Sequence, residues 1–238
     1  FDGIGIDEHL GQQVDLNLKF KDENGQEVTL AKYYDGTHPV VISMVYFNCP
    51  GLCNFHLNGV VESMKEMDWK AGEKFQLLAI SFDPKETPDL AAPKKANYMK
   101  LYDRAGTENG FHFLTADAET IKKITETVGF KYRWDEQSNE WAHASAAVIT
   151  NPDGKISRYL HGIMFDAPTF KMALNEATQS RIGNVIDQMI FYCFKYDPTK
   201  SKYTLYAFRI VQIGGVLVIL ILAALLGPVW LRARKEDK

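Results

Sequence analysis

Cys49-Pro50-Gly51-Leu52-Cys53 sets two thiols four residues apart. The apolar run Val40-Val41-Ile42-Ser43-Met44-Val45-Tyr46-Phe47 precedes them, and a helix-like stretch follows. That order predicts a strand, a turn, and a helix whose first turn carries the second cysteine. The start of a helix supplies unpaired N–H groups and the positive end of its dipole, and both favour thiolate over thiol. A pair of thiolates has two uses: it binds soft metals or it exchanges disulfides. Thioredoxin-type exchange enzymes favour two residues between the cysteines, and here there are three. Both uses stay open on the pair alone.

A third ligand would make the pair a specific metal site. The histidines are His9, His38, His56, His112, His143 and His161. His143 is the strongest candidate, because it stands at the head of the apolar run 144–150. That run is expected to lie beside the strand that leads into Cys49. Two thiolates and one imidazole suit copper in either state, since thiolate favours Cu(I) and imidazole tolerates Cu(II). Structural zinc sites usually close with four ligands. The alternative for His143 is a strand-end histidine that only hydrogen-bonds. His56, three residues after Cys53, reads as a helix-surface residue beside the site. His161 ends a neighbouring strand, and His9, His38 and His112 read as surface or loop residues. Asp83, closing another apolar run, is a candidate for supporting the ligands from just outside, or for capping a turn with Pro84. The third cysteine, Cys193, falls outside the pair and reads as a structural or membrane-proximal thiol.

The elements that must hold these residues follow from periodicity. Residues 1–13 are glycine-rich and read as irregular. Residues 14–20 alternate apolar and polar, as a half-buried strand does, and turn at Asp22-Glu23-Asn24-Gly25 into 27–30. Buried strands are expected at 39–47 and 75–82, and a short strand at 111–114. Helices are expected at 53–67, 90–102, 118–128 and 167–177. A hairpin, 144–150 with 155–160, turns at Asn151-Pro152-Asp153-Gly154. Alternating strands and helices followed by an antiparallel pair predict an α/β fold with a mixed central sheet between helices.

Two further features bound the function. The 238 residues carry a net charge of -3 with no basic stripe, so no nucleic-acid partner is expected. From 210 to 231 no residue is charged, a run that matches the roughly 20 apolar residues a bilayer-spanning helix needs. Arg232, Arg234, Lys235 and Lys238 follow it, whereas Lys195, Lys200, Lys202 and Arg209 precede it. The charge rule for orientation is therefore nearly balanced. The expected organisation is an extension (1–13), a globular domain (14–180), an aromatic-rich connector (181–208), a membrane span (209–231) and a short tail (232–238).

Three spaced motifs resemble the Sco/SenC family: Tyr46-Phe47-Asn48-Cys49-Pro50-Gly51-Leu52-Cys53, Ser81-Phe82-Asp83-Pro84-Lys85-Glu86-Thr87, and Ala142-His143-Ala144-Ser145 followed by Pro152-Asp153-Gly154. The likeness runs from about residue 14 to residue 177. It implies a thioredoxin-like fold and a single copper held by Cys49, Cys53 and His143. It implies a metallochaperone rather than an enzyme, serving the dinuclear copper centre of cytochrome c oxidase subunit II. The alternatives it leaves are a thiol-disulfide oxidoreductase acting on oxidase cysteines and a stably bound accessory subunit of a respiratory complex. The chain differs from many members in its C-terminal span, which a bacterial subgroup shares. Gly51 also replaces an acidic residue often found between the cysteines, and Glu86 replaces an aspartate. The resemblance implies an inner-membrane protein with its N-terminal domain in the periplasm and its C-terminus in the cytoplasm.

Overall fold

Two runs of branched and aliphatic residues, 40–45 and 76–81, meet as the parallel centre of a sheet, because each is apolar on both faces. The computed structural model describes residues 3–49 and 51–182, together with positions 212 and 215. In chain order the strands are β1 (Gly5–Ile6), β2 (Lys19–Lys21), β3 (Glu27–Thr29), β4 (Val40–Val45), β5 (Gln76–Ser81), β6 (Phe111–Leu114), β7 (Phe130–Asp135), β8 (Glu140–His143), β9 (Ala146–Thr150) and β10 (Ile156–His161). The helices are α1 (Leu52–Glu66), α2 (Pro88–Tyr102), α3 (Ala118–Thr127) and α4 (Ala167–Thr178).

The main sheet has the order β10-β9-β4-β5-β6. Strands β4, β5 and β6 are parallel, and β9 joins β4 antiparallel with Ser43 opposite Ala147. Every residue of β4 and all but Gln76 of β5 are buried. Helix α1 packs against α2 and α4, and α3 packs against β7. This is the thioredoxin-like mixed α/β arrangement the motifs imply. The loop after β10 comes so close to α1 that a side chain at Gly59 would strike the Ile163 carbonyl oxygen.

In its strands the structure departs from the sequence reading in three places. First, residues 1–13 are not wholly irregular. Strand β1 pairs with β7, Gly5 opposite Lys131 and Ile6 opposite Phe130. Gly129 makes this fit: its φ is +66°, and a side chain there would strike the Asp7 carbonyl oxygen. Second, the strand expected over 14–20 is confined to Lys19–Lys21. The Asp15 carboxylate accepts the Asn17 N–H at 2.9 Å and the Asp15 carbonyl accepts the Leu18 N–H at 3.3 Å, so the chain turns there while Val14 and Leu18 stay buried. Third, β7 and β8 form an unforeseen hairpin, closed by Asp135, whose carboxylate accepts the Gln137 N–H and the Ser138 hydroxyl. With β1 it makes a separate three-stranded sheet.

Two histidines expected at the surface are instead part of the packing. His56 is 1% exposed, with its ring nitrogens against Ser43 Oγ and the Gly162 carbonyl, both at 3.2 Å. His112 lies on β6, its ring 4.3 Å from that of Tyr33. Burial lowers both imidazoles from 6.5 to about 4. Below 6.5 the unfolded chain takes up protons that the folded chain refuses, so stability falls as the pH drops. Unfolding by denaturant between pH 7 and 4 should show a loss on the order of 2–3 kcal/mol from each residue. His112→Gln should flatten that slope.

The connector from residue 183 on, the expected membrane span apart from positions 212 and 215, the tail and Cys193 fall outside the described residues. Among the described residues no helix is long and apolar enough to cross a membrane.

Candidate metal centre

The edge of the sheet at the C-terminal end of β4 is where the candidate ligands gather. β4 ends at Val45, and the chain turns with the Cys49 N–H on the Tyr46 carbonyl at 3.3 Å. Helix α1 then starts at Leu52. The Cys49 sulfur sits over that helix start and accepts the N–H groups of Gly51 and Cys53, each at 3.4 Å. The Cys53 sulfur accepts the Tyr46 N–H at 3.4 Å and lies 3.2 Å from His143 Nε2. The two sulfurs and the His143 nitrogen all lie within 4.8 Å of one another.

The sequence reading placed His143 at the head of the strand 144–150. It is instead the last residue of β8, opposite Tyr132. The imidazole therefore reaches the cysteines from the hairpin and not from the main sheet. Its Nδ1 lies 2.7 Å from the Ala144 carbonyl, which leaves Nε2 for the sulfurs. The rings of Tyr46, Phe82 and Phe130 surround it, with centroids 6.0, 5.2 and 5.8 Å away.

The turn that presents Cys49 is held from below by Glu86, a residue the sequence reading noted only as a replacement. The residue is 7% exposed, and its carboxylate accepts the Phe47 N–H at 2.7 Å, the Asn48 N–H at 2.7 Å and the Ser81 hydroxyl at 2.6 Å. The signal available was its place five residues after Ser81, at the end of a buried strand. A second brace comes from Asn54, which donates to the Cys49 carbonyl at 2.8 Å and accepts from Lys94 at 2.6 Å. Asp83 accepts the indole N–H of Trp141 at 3.0 Å, so it ties down the hairpin that carries His143. His161 is paired with Glu8 at 2.6 Å, and His38 with Asp35 at 2.6 Å; neither belongs to the cluster. His9 contacts the Thr127 carbonyl at 3.0 Å.

The two thiols are unlike. The hydrogen bond from Cys53, reinforced by His143, the Cys53 N–H and Tyr46, pulls the Cys49 thiol well below the usual range despite its burial. Burial, with Cys49 beside it, pushes the Cys53 thiol well above the usual range. Reduced, metal-free protein should therefore alkylate at Cys49 at pH values below the ordinary thiol range, and at Cys49 in preference to Cys53. Mass mapping of iodoacetamide adducts against pH checks this, and equal labelling of both would contradict the asymmetry. Chemically, three soft or borderline donors this close can converge on one ion at the roughly 2.0–2.3 Å that imidazole and thiolate bonds require.

Known proteins of the same fold bear on this arrangement. An Aquifex aeolicus VF5 protein provisionally assigned to electron transfer superposes with a TM-score of 0.62 at 21% identity, over 72% of this chain and 95% of that one. Arabidopsis thaliana ScoI, solved with copper bound, superposes with a TM-score of 0.54 at 15% identity, over 68% and 96% of the two chains. Yeast Sco1, also solved with copper bound, gives 0.52 at 18% identity, over 84% and 99%. These likenesses establish the shared fold. No curated protein matches the chain. The family model described as SCO1/SenC matches residues 7–179, which takes in both cysteines, Glu86 and His143. The chain belongs to the SCO1/SenC family.

Proposed function

We propose that the protein is a membrane-tethered copper metallochaperone for the dinuclear copper centre of cytochrome c oxidase subunit II, with Cys49, Cys53 and His143 as the copper ligands. The observation that carries the reading is the convergence of two thiol sulfurs and one imidazole nitrogen within 4.8 Å at the edge of the sheet. Family membership and the copper-bound ScoI and Sco1 structures support copper as the cargo. The uncharged run 210–231 supports a single membrane span. The domain would then face the periplasm, from a bacterial inner membrane, with residues 232–238 in the cytoplasm.

Cys49, low in pKa and over a helix start, would be the first ligand to exchange with an acceptor thiolate. Tethering would raise the effective concentration of the domain near a membrane-bound acceptor. The test has two parts. Wild type should bind a single copper per chain, and His143→Ala should lose the wild-type Cu(II) absorption spectrum. Cells lacking the protein should assemble subunit II without its copper pair, and a Cys49→Ser copy should not restore it. An unchanged Cu(II) spectrum and affinity in His143→Ala would sink the three-ligand site.

The split between the two thiols favours one second reading, thiol-disulfide exchange on oxidase cysteines with Cys49 as the attacking thiolate. Turnover on an acceptor disulfide by copper-free protein would support it. Stoichiometric co-purification with an oxidase would point instead to a permanent accessory subunit.

A further inference from the structure

A continuous series of aromatic rings leads from His143 through Phe82, just past β5, and out along the β7–β8 hairpin. From the His143 ring the centroid distances are 5.2 Å to Phe82, 4.8 Å from Phe82 to Tyr132, 5.3 Å from Tyr132 to Trp141, and 5.2 Å from Trp141 to Trp134. Trp134 ends the series at the surface, with 41% of its area exposed. Each step lies within the contact range of packed aromatic pairs. Packing of the hairpin accounts for large rings opposite one another, such as Trp134 across from Trp141. It does not call for an unbroken line from the ligand to solvent. The Trp141 indole donates its N–H to the Asp83 carboxylate at 3.0 Å. Indole and phenol are the ring side chains that give up one electron most readily. An indole that has lost an electron becomes an acid at its N–H, and here a carboxylate stands ready to take the proton.

We infer that Trp141 and Trp134, with Asp83 as proton acceptor, form an oxidation relay that carries oxidising equivalents from the copper site to the protein surface. The inference rests on the copper reading above. The oxidant is hydrogen peroxide. A Cu(I) ion gives it one electron, its O–O bond breaks, and Cu(II), hydroxide and a hydroxyl radical result. Left at the site, that radical would attack a ligand. Through the ring series it instead takes an electron from Trp141 and becomes a second hydroxide, while the indole proton passes to Asp83. Trp134 then returns an electron to Trp141, which recovers its proton from Asp83, and the missing electron now lies at Trp134. A solvent reductant of the ascorbate or thiol class supplies an electron and a proton there. In sum, Cu(I), peroxide and one donor hydrogen give Cu(II), hydroxide, water and the donor radical.

The experiment uses the full chain loaded with Cu(I), treated with peroxide without added reductant, and mapped by mass spectrometry. Wild type should carry its oxidation at Trp134, with a tryptophan radical visible by electron paramagnetic resonance after rapid freezing. In Trp134→Phe/Trp141→Phe, which keeps the rings, the fraction of chains oxidised at Cys49, Cys53 or His143 should at least double and the radical signal should vanish. Asp83→Asn keeps an acceptor for the indole N–H but cannot take its proton, and it too should raise ligand oxidation. Equal ligand oxidation in wild type and the double variant, with Trp134 unmodified, overturns the relay. Copper content is measured on the same samples. A wild type that binds no copper overturns the metal reading and the relay together, whereas copper held with unchanged damage overturns the relay alone.

Discussion

Glu86→Ala is expected to destabilise the domain by about 3–5 kcal/mol, the cost of breaking a buried, charge-assisted cluster. The carboxylate accepts from two backbone N–H groups and a hydroxyl, all within 2.7 Å. Alanine leaves the Phe47 N–H and the Ser81 hydroxyl buried without this partner and frees the part-buried Asn48 N–H; the two N–H groups cannot turn away because they belong to the backbone. The turn that sets the position of Cys49 would loosen with them. Glu86→Gln separates charge from shape: one oxygen still accepts, but its amide nitrogen meets a donor, so roughly half the loss should remain. Denaturant midpoints of the three proteins check the order wild type, Gln, Ala. An alanine variant as stable as wild type would show that the cluster does not support the turn.

Cys53→Ser is expected to weaken Cu(I) binding by more than ~100-fold, beyond the usual effect of altering a group that only supports a ligand. Cys53 is 1% exposed, and its sulfur lies within 4.8 Å of both other donors. Serine replaces a soft sulfur with a hard, protonated oxygen that Cu(I) disfavours. It can still accept the Tyr46 N–H, so the fold should survive. Competition against a chelator of known affinity measures the loss, and a change of only a few-fold would remove Cys53 from the ligand set.

Much of this was legible in the sequence because it is local. The pair Cys49 and Cys53 reads directly as strand, turn and helix, since the run 40–45 is apolar on both faces and the spacing places Cys53 in the first helical turn. The hairpin Ala146–Thr150 with Ile156–His161 is marked by its Asn-Pro-Asp-Gly turn. What failed to read was long-range or disguised. The hairpin β7–β8 shows the alternation Phe130, Tyr132, Trp134 against Lys131 and Arg133, a strand pattern in plain view. It lies where a helix leads straight towards the next apolar run, and the polar stretch 135–140 masks its return strand. His143 therefore reads as the head of the wrong strand, although the structure does bring it to the two cysteines. His56 sits on a helix flank whose burial depends on Ser43 and the loop at Gly162, and no local pattern announces either contact. The role of Glu86 depends on the turn folding back over it from 38 and 39 residues away in sequence.

The donors come from two sheets, the cysteines from the turn and helix start that follow β4, the central strand of the five-stranded one, and His143 from the three-stranded one. Ninety residues separate Cys53 from His143. An ion bound to all three would act as a removable cross-link closing that long segment. Because the fold already holds the ends 3.2 Å apart, closing it demands little chain entropy from the native state. The stabilisation should therefore appear mainly as resistance of the β7–β8 hairpin to local opening, and amide exchange there would record loading and release. Binding of an ion would then be read in the mobility of one hairpin, with the main sheet left as it was.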